Sequence, residues 1–370
     1  MLTSVLLSGP ILRAAEPIPL PPKSDRWNAV RTAHFQLFGN ATPAKTREVG
    51  WELERLRAVL LALQRTLSAN SPVPTFIYVF KSHEALQPYL PLADGKPANA
   101  AAYFQQSQDG NFIALSAAWN VDPREVVYHE YIHYFMRANF PPLPVWYEEG
   151  LADYYSTFRS DSGEARTGMI REDHLALLRD TGLMPLDRLF AVDRDSPEYN
   201  ESLRQGIFYA QSWALVHYLT RGAPERAPQL GRFLQLLKQD RPRDAAFREA
   251  FGTDMVTLLG ELVAYIRNKR FFYNRVKLSE LEIPTDVTTT PMPYEDMLYR
   301  LGDLLAHGDA DRLSDAERFL EAVPPTAPAF PGALAALGFV RLRQDKWDDA
   351  AALFRRAING GSDDFRVFFY

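Results

Sequence analysis

The sequence predicts an α+β protein: a small antiparallel or mixed sheet, then a helical lobe, then a segment of helical repeats. Three observations predict it. Strand-like runs come early, at HFQLFG (34–39), PTFIYVFKS (74–82) and a pair flanking Asp109-Gly110. Helix-spaced apolar residues dominate from about 122 to 272. Beyond a Thr- and Pro-rich break, Leu301-Gly302 recurs as Leu337-Gly338, a spacing of 36 residues.

In chain order, the N-terminus MLTSVLLSGPILRAAEPIPLPP is a short apolar run followed by small residues and prolines, which suggests an export signal. It departs from the usual pattern in two ways: no Lys or Arg precedes the run, and cleavage after Ala14 or Ala15 would place Leu12 or Arg13 where a small residue is preferred. Export to the periplasm or exterior is the expectation, with the cytoplasm as the alternative. Residues 1–26 read as this signal remnant and a Pro-rich leader, extended and poorly packed, and folding is expected to begin at Trp27. Residues 41–67 form an amphipathic helix with Val49, Leu53, Leu56, Leu60 and Leu63 in register. The runs 101–106 and 112–116, joined at Asp109-Gly110, make a hairpin. Asp122-Pro123 is a helix start, with Asp as N-cap and Pro at the first position, and the prolines at 141, 142 and 144 stop that helix. A second helix covers about 145–158, and the remainder to about Phe272 is read as helical throughout, at 171–180, 204–221, 228–239, 243–250 and 255–271. The first large domain is therefore drawn at 27–280, a linker at 281–293 and a repeat segment at 294–370.

Composition narrows the partners. A net charge of -5 carries no basic footprint for nucleic acid, and no stretch of about 20 apolar residues predicts an integral span. With no cysteine, any metal must be held by His and carboxylate.

VVYHEYIHYFMRANFPPLPVWYEEGLADYY (126–155) supplies such a set. His129 and His133 are one helical turn apart, about 40° around the axis and about 6 Å along it, so both rings can point at one ion, with Glu130 beside it. Zinc accepts two histidines and a carboxylate and keeps one position for water. Glu149, brought back by the loop at 140–144, is the candidate third ligand, with Glu148 as the competitor pointing about 100° away. Asp153, one turn beyond Glu149, is placed to orient a ligating histidine. His34, His83, His174 and His307 have no motif partners and read as surface or packing residues.

The string His-Glu-x-x-His followed by Trp-Tyr-Glu-Glu-Gly-Leu-Ala-Asp resembles the gluzincin zinc peptidases, the thermolysin and aminopeptidase N clan. Residues 27 to about 273, with HEYIHYFM, WYEEGLADYY and YAQSWALVHYL, resemble bacterial peptidase-MA-like proteins of uncharacterised function, often joined to tetratricopeptide repeats. The resemblance implies a thermolysin-like catalytic domain, Zn2+ held by His129, His133 and Glu149, Glu130 as catalytic base, and a peptide or protein substrate. It also makes Tyr209 the candidate donor to the oxyanion, with His217 as a weaker alternative. The Gly-x-Met-Glu-Asn motif of the aminopeptidase relatives is absent where this chain has NFIALSAAW, which favours an endopeptidase. Phe112–Ser116 is then expected to pair with an extended peptide. The alternatives are a non-hydrolytic peptide- or protein-binding scaffold and a zinc hydrolase of a non-peptide amide. The C-terminal segment resembles tetratricopeptide repeats, with Ala316, Leu320 and Val323 in the first copy and Ala350, Phe354 and Ala357 in the second, which implies a protein partner. The tail DFRVFFY stands where a third repeat would start, which favours a chain that continues over a tail that packs back on the domain or on a second chain.

Overall fold

The computed structural model describes residues 16–63, 73–93, 96–118, 123–200, 202–268 and 270–370. It is a mixed α/β protein with a small mixed sheet and many helices, compatible with the α+β expectation. The apolar N-terminal run and Asp122 lie outside the described residues. The leader is extended but anchored: Ile18 is buried and its N–H donates to Asp315 Oδ1 at 2.9 Å, so this part of the Pro-rich segment packs where none was expected to.

The strands begin with β1 (Trp27–Arg31) and β2 (Gln36–Gly39), followed by helix α1 (Pro43–Leu63). Next come β3 (Thr75–Phe80), a short helix α2 (His83–Leu86), the two-residue strands β4 (Leu92–Ala93) and β5 (Lys96–Pro97), β6 (Ala102–Gln106) and β7 (Asn111–Ser116). Residues 107–110 close the β6–β7 hairpin, with Gln106 opposite Asn111.

Helices α3 (Pro123–Asn139) and α4 (Val145–Ser156) carry the metal motif. The segment after them is not helical throughout. β8 (Arg159–Asp161) and β9 (Glu164–Thr167) turn back at Ser162-Gly163 and pair with β10 (Asn274–Lys277) in a separate three-stranded sheet. Between β9 and β10 come α5 (Glu172–Thr181), α6 (Leu186–Leu189), α7 (Pro197–Asn200), α8 (Ser202–His217), α9 (Arg226–Lys238), α10 (Arg243–Phe251) and α11 (Met255–Asn268). No helix among the described residues is long and apolar enough to cross a membrane.

The Thr- and Pro-rich stretch drawn as a linker is partly a strand. β11 (Thr288–Met292) pairs antiparallel with β1, Thr290 opposite Ala29. Its β-branched threonines suit a strand, and Pro291 is tolerated because β11 is at the sheet edge. Four helices follow: α12 (Tyr294–His307), α13 (Leu313–Glu321), α14 (Phe330–Arg343) and α15 (Trp347–Asn359).

The chain divides into two compact units that are not consecutive in sequence. One comprises Met1–Gly50, Pro72–Pro123 and Asp286–Tyr370; the other comprises Trp51–Ser71 and Arg124–Thr285. In the first, the six strands run in the order β11-β1-β2-β3-β7-β6, parallel only at β2/β3 and β3/β7. β3 and β7 are buried along their whole length. Phe76, Tyr78 and Phe80, every second residue of β3, pack with Met297, Leu301, Leu304 and Phe319 of α12 and α13. β7 is hydrogen-bonded to β3 on one side and β6 on the other, so Phe112–Ser116 has no free edge for a peptide, contrary to the expectation. The helix pairs close through small residues: a Cβ at Gly302 would meet the Leu320 side chain, and one at Gly338 the Phe354 ring. Ala316, Leu320, Val323, Ala350, Phe354 and Ala357 are all buried. In the tail, Arg366 is buried against Asp303 at 3.2 Å, whereas Phe365, Phe368 and Phe369 are exposed.

Candidate metal centre

All residues of the centre lie in the second unit. α3 is held by its apolar positions: Val127, Tyr128, Ile132 and Phe135 are buried, and the Tyr128 hydroxyl donates to Glu52 Oε2 at 3.1 Å. That packing leaves His129 and His133 side by side one turn apart, with their Nε2 atoms 3.0 Å from each other. Pro144 ends the intervening loop and its carbonyl accepts from the N–H groups of Tyr147 and Glu148, which starts α4. Trp146 locks that first turn by packing on Phe190, ring centroids 4.9 Å apart. Gly150 lets α4 lie directly on α8, because a Cβ there would collide with the Ser212 carbonyl.

In this arrangement Glu149 is buried and its Oε2 lies 3.2 Å from His133 Nε2 and 3.3 Å from His129 Nε2. The three atoms form a triangle with edges of 3.0, 3.2 and 3.3 Å. A tetrahedral ion with bonds of about 2.0–2.1 Å separates its ligands by about 3.3 Å, so His129, His133 and Glu149 could hold a metal ion. Glu148 points elsewhere, accepting from Arg194 Nη2 at 2.7 Å. Glu130, next to His129 on the same helix, is half-buried, and its charge contributes to the potential at His129.

Around these ligands is a set of orienting hydrogen bonds. His129 Nδ1–H donates to Asp153 Oδ1 at 2.9 Å, which orients the ring so that Nε2 points at Glu149 and His133. The other oxygen of Asp153 accepts from His174 Nε2 at 2.9 Å, so His174 is a member of the centre and not the surface or packing residue its lack of a motif suggested. Arg171 stands 3.8 Å from the same carboxylate. Glu149 Oε1 accepts from the Tyr199 hydroxyl at 3.0 Å. Tyr199 hydrogen-bonds in turn to Tyr209, whose ring centroid is 6.2 Å from that of His129. Sequence reasoning missed Tyr199 and His174, which reach the centre from α7 and α5.

Burial opposes the charged forms of these groups, and the partners decide the outcome. His129 is desolvated, yet Asp153 and Glu149 raise its pKa well above the ordinary histidine value. Glu149 and Asp153 are desolvated as well, and hydrogen bonds from His129 with His133 or His174 hold both carboxyls well below the usual range. Burial first, then the charge of Glu149, pushes Tyr209 far up, so it remains a protonated donor.

The Asp153 contact predicts that Asp153→Asn lowers metal affinity by about 10- to 100-fold with the fold intact. Competition against a fluorescent chelator measures this, and a change below about threefold would remove Asp153 from its orienting role.

His217 is elsewhere. Fully buried, it donates from Nε2 to the Gly168 carbonyl at 2.9 Å and faces the Tyr265 hydroxyl at Nδ1, 2.8 Å away, an arrangement suited to the neutral ring. Burial lowers its pKa from 6.5 to about 4. The unfolded chain therefore binds the extra proton in this window, and stability falls as pH drops from about 6.5 towards 4, by up to about 3 kcal/mol. Urea unfolding across that range will show a shallower pH slope for His217→Gln than for the wild type.

Residues 126–244, which include every member of the centre, match a family described as a protein of unknown function (DUF1570). No curated protein matches the chain.

Proposed function

We propose that the chain is a zinc-dependent peptidase of gluzincin type, with a thermolysin-like catalytic domain. The observation that carries this reading is the triangle of His129 Nε2, His133 Nε2 and Glu149 Oε2, one residue from Glu130. Two imidazoles and one carboxylate are a zinc donor set, and three protein ligands leave a position for substrate or water, as catalytic sites require. A purely structural zinc site is closed by a fourth protein ligand, and none joins the three among the described residues.

Zinc bound there would supply a water acidic enough to lose a proton near neutrality and would polarise the scissile carbonyl. Glu130 takes the proton from the attacking water and returns it to the leaving amine. Tyr209, kept protonated by its surroundings, donates to the oxyanion, and Tyr199 fixes both Tyr209 and Glu149. Asp153 and His174 hold the His129 ring. Endopeptidase action is favoured over aminopeptidase action because the amine-holding Gly-x-Met-Glu-Asn motif is absent. The helix pairs α12/α13 and α14/α15, with small residues at their crossings, support a tetratricopeptide-like segment that recruits a protein partner. An exported location is the companion proposal.

The test is digestion of an unbiased peptide library by the zinc-loaded full chain. Internal cleavages abolished by chelation and restored by zinc are expected. Cleavage confined to terminal residues would overturn the endopeptidase assignment, and no zinc-dependent cleavage would overturn the peptidase.

A further inference from the structure

The two helices that carry the metal ligands also wall a cavity of about 830 Å3, and no ligand residue lines it. Tyr147, Leu151 and Tyr154 line it from the face of α4 opposite Glu149. The remaining wall is mainly apolar, with Phe135 and Met136 of α3 facing Leu234 and Leu237 of α9. The whole cavity lies within the second unit. Its volume is within the range of about 300–1,000 Å3 typical of small-molecule sites.

One part of it is polar in a one-sided way. The Tyr154 hydroxyl accepts from Arg221 Nε at 3.3 Å and from Asn274 Nδ2 at 2.9 Å. Its own proton must then go to another acceptor, and no described residue supplies one. Arg221 and Lys238 both line the cavity, neither forms an ion pair among the described residues, and no Asp or Glu is in the wall. Asn274 spends its second Nδ2 proton on Thr167 Oγ1 at 3.1 Å, so what converges without an anion is the guanidinium and the phenolic O–H. Arg221 is placed by a break in helical geometry: α8 continues as a π turn over Tyr218–Gly222, closed by the Ala223 N–H on the Tyr218 carbonyl at 2.9 Å. Thr220 and Arg221 lie in that turn and both line the cavity, and such turns concentrate at functional sites.

We propose that this cavity binds a single-chain amphipathic anion of the fatty-acid class. The acyl chain lies along the leucine, phenylalanine and methionine wall, and the carboxylate meets Arg221 and the Tyr154 hydroxyl, which Asn274 holds in place.

The test is calorimetric titration of the full chain, with and without added zinc, using palmitate below its aggregation concentration. One site per chain is expected under both conditions, which separates this result from the fate of the peptidase assignment. Hexadecanol, with the chain but no charge, should bind at least about tenfold more weakly, and Arg221→Ala should weaken palmitate by about tenfold or more while leaving hexadecanol unchanged. Gly231→Trp is the second variant: Gly231 lines the cavity and a Cβ there meets nothing within 4 Å, so the substitution starts without a clash, and an unchanged circular dichroism spectrum is its control. It should abolish binding of both compounds. Absence of palmitate binding, equal affinity for hexadecanol, or palmitate affinity unaltered in both variants overturns the proposal. So does binding seen only with phosphatidylglycerol vesicles, which would identify a lipid surface.

Discussion

Glu130→Gln will, in the zinc peptidase proposed above, retain one zinc per chain and lose peptide hydrolysis by about a hundred- to ten-thousand-fold. The amide matches the carboxylate in size and cannot take a proton from water, so the substitution removes proton transfer and little else. Glu130 is outside the ligand triangle, which is why metal content is the control that gives the result its meaning. Metal analysis and cleavage of a fluorogenic substrate from the same preparation provide both numbers. Undiminished turnover in the variant would remove Glu130 from the reaction, and a parallel loss of zinc would make it a determinant of metal binding.

Glu149→Gln will cost at least about a hundredfold in zinc affinity. Glu149 supplies the only negative charge of the ligand triangle, and a neutral amide oxygen is a much weaker partner for a divalent cation. The clearest readout is the rise in melting temperature on adding zinc. A ligand at 1,000 times its Kd stabilises the folded chain by about 4 kcal/mol, and a hundredfold loss of affinity at the same concentration removes more than half of that. The comparison is between the variant with and without zinc, because Glu149 also pairs with His129, His133 and Tyr199 and its replacement alters the metal-free protein too. An unchanged zinc increment would mean that the third ligand is another group.

The centre was legible in sequence where its geometry is local. His129 and His133 share one helix face by periodicity, and Glu149 and Asp153 repeat that relation on the next helix, so only the short loop between them had to be inferred. His174 and Tyr199 were not legible. They belong to separate helices, 21 residues beyond Asp153 and 50 beyond Glu149, and the packing that brings them in leaves no periodic trace. His174 sits beside Leu175 in an ordinary amphipathic pattern, and Tyr199 occupies a polar stretch, RDSPEYN, whose composition suggests only a loop.

The sheet shows the same division. The Asp109-Gly110 hairpin was legible, whereas the pairing of β7 with β3 on its other side was not deduced. A signal was present: FIAL has no polar residue facing solvent on either side, the mark of a strand covered on both faces and set inside a sheet. β11 was hidden by its composition, since TTTPM reads as a linker until its pairing with Trp27–Arg31 is seen.

That pairing has a consequence for how the chain is made. β1 and β11 are separated in sequence by the entire second unit, and the helices that cover Phe76, Tyr78 and Phe80 come later still. During synthesis, residues 124–285 emerge as one continuous stretch able to acquire its contacts directly, whereas the first unit must keep its early strands waiting for α12 and α13. The six-stranded sheet is therefore the last to close, and its exposed strands in the interval are where a nascent chain of this protein is most in need of a chaperone.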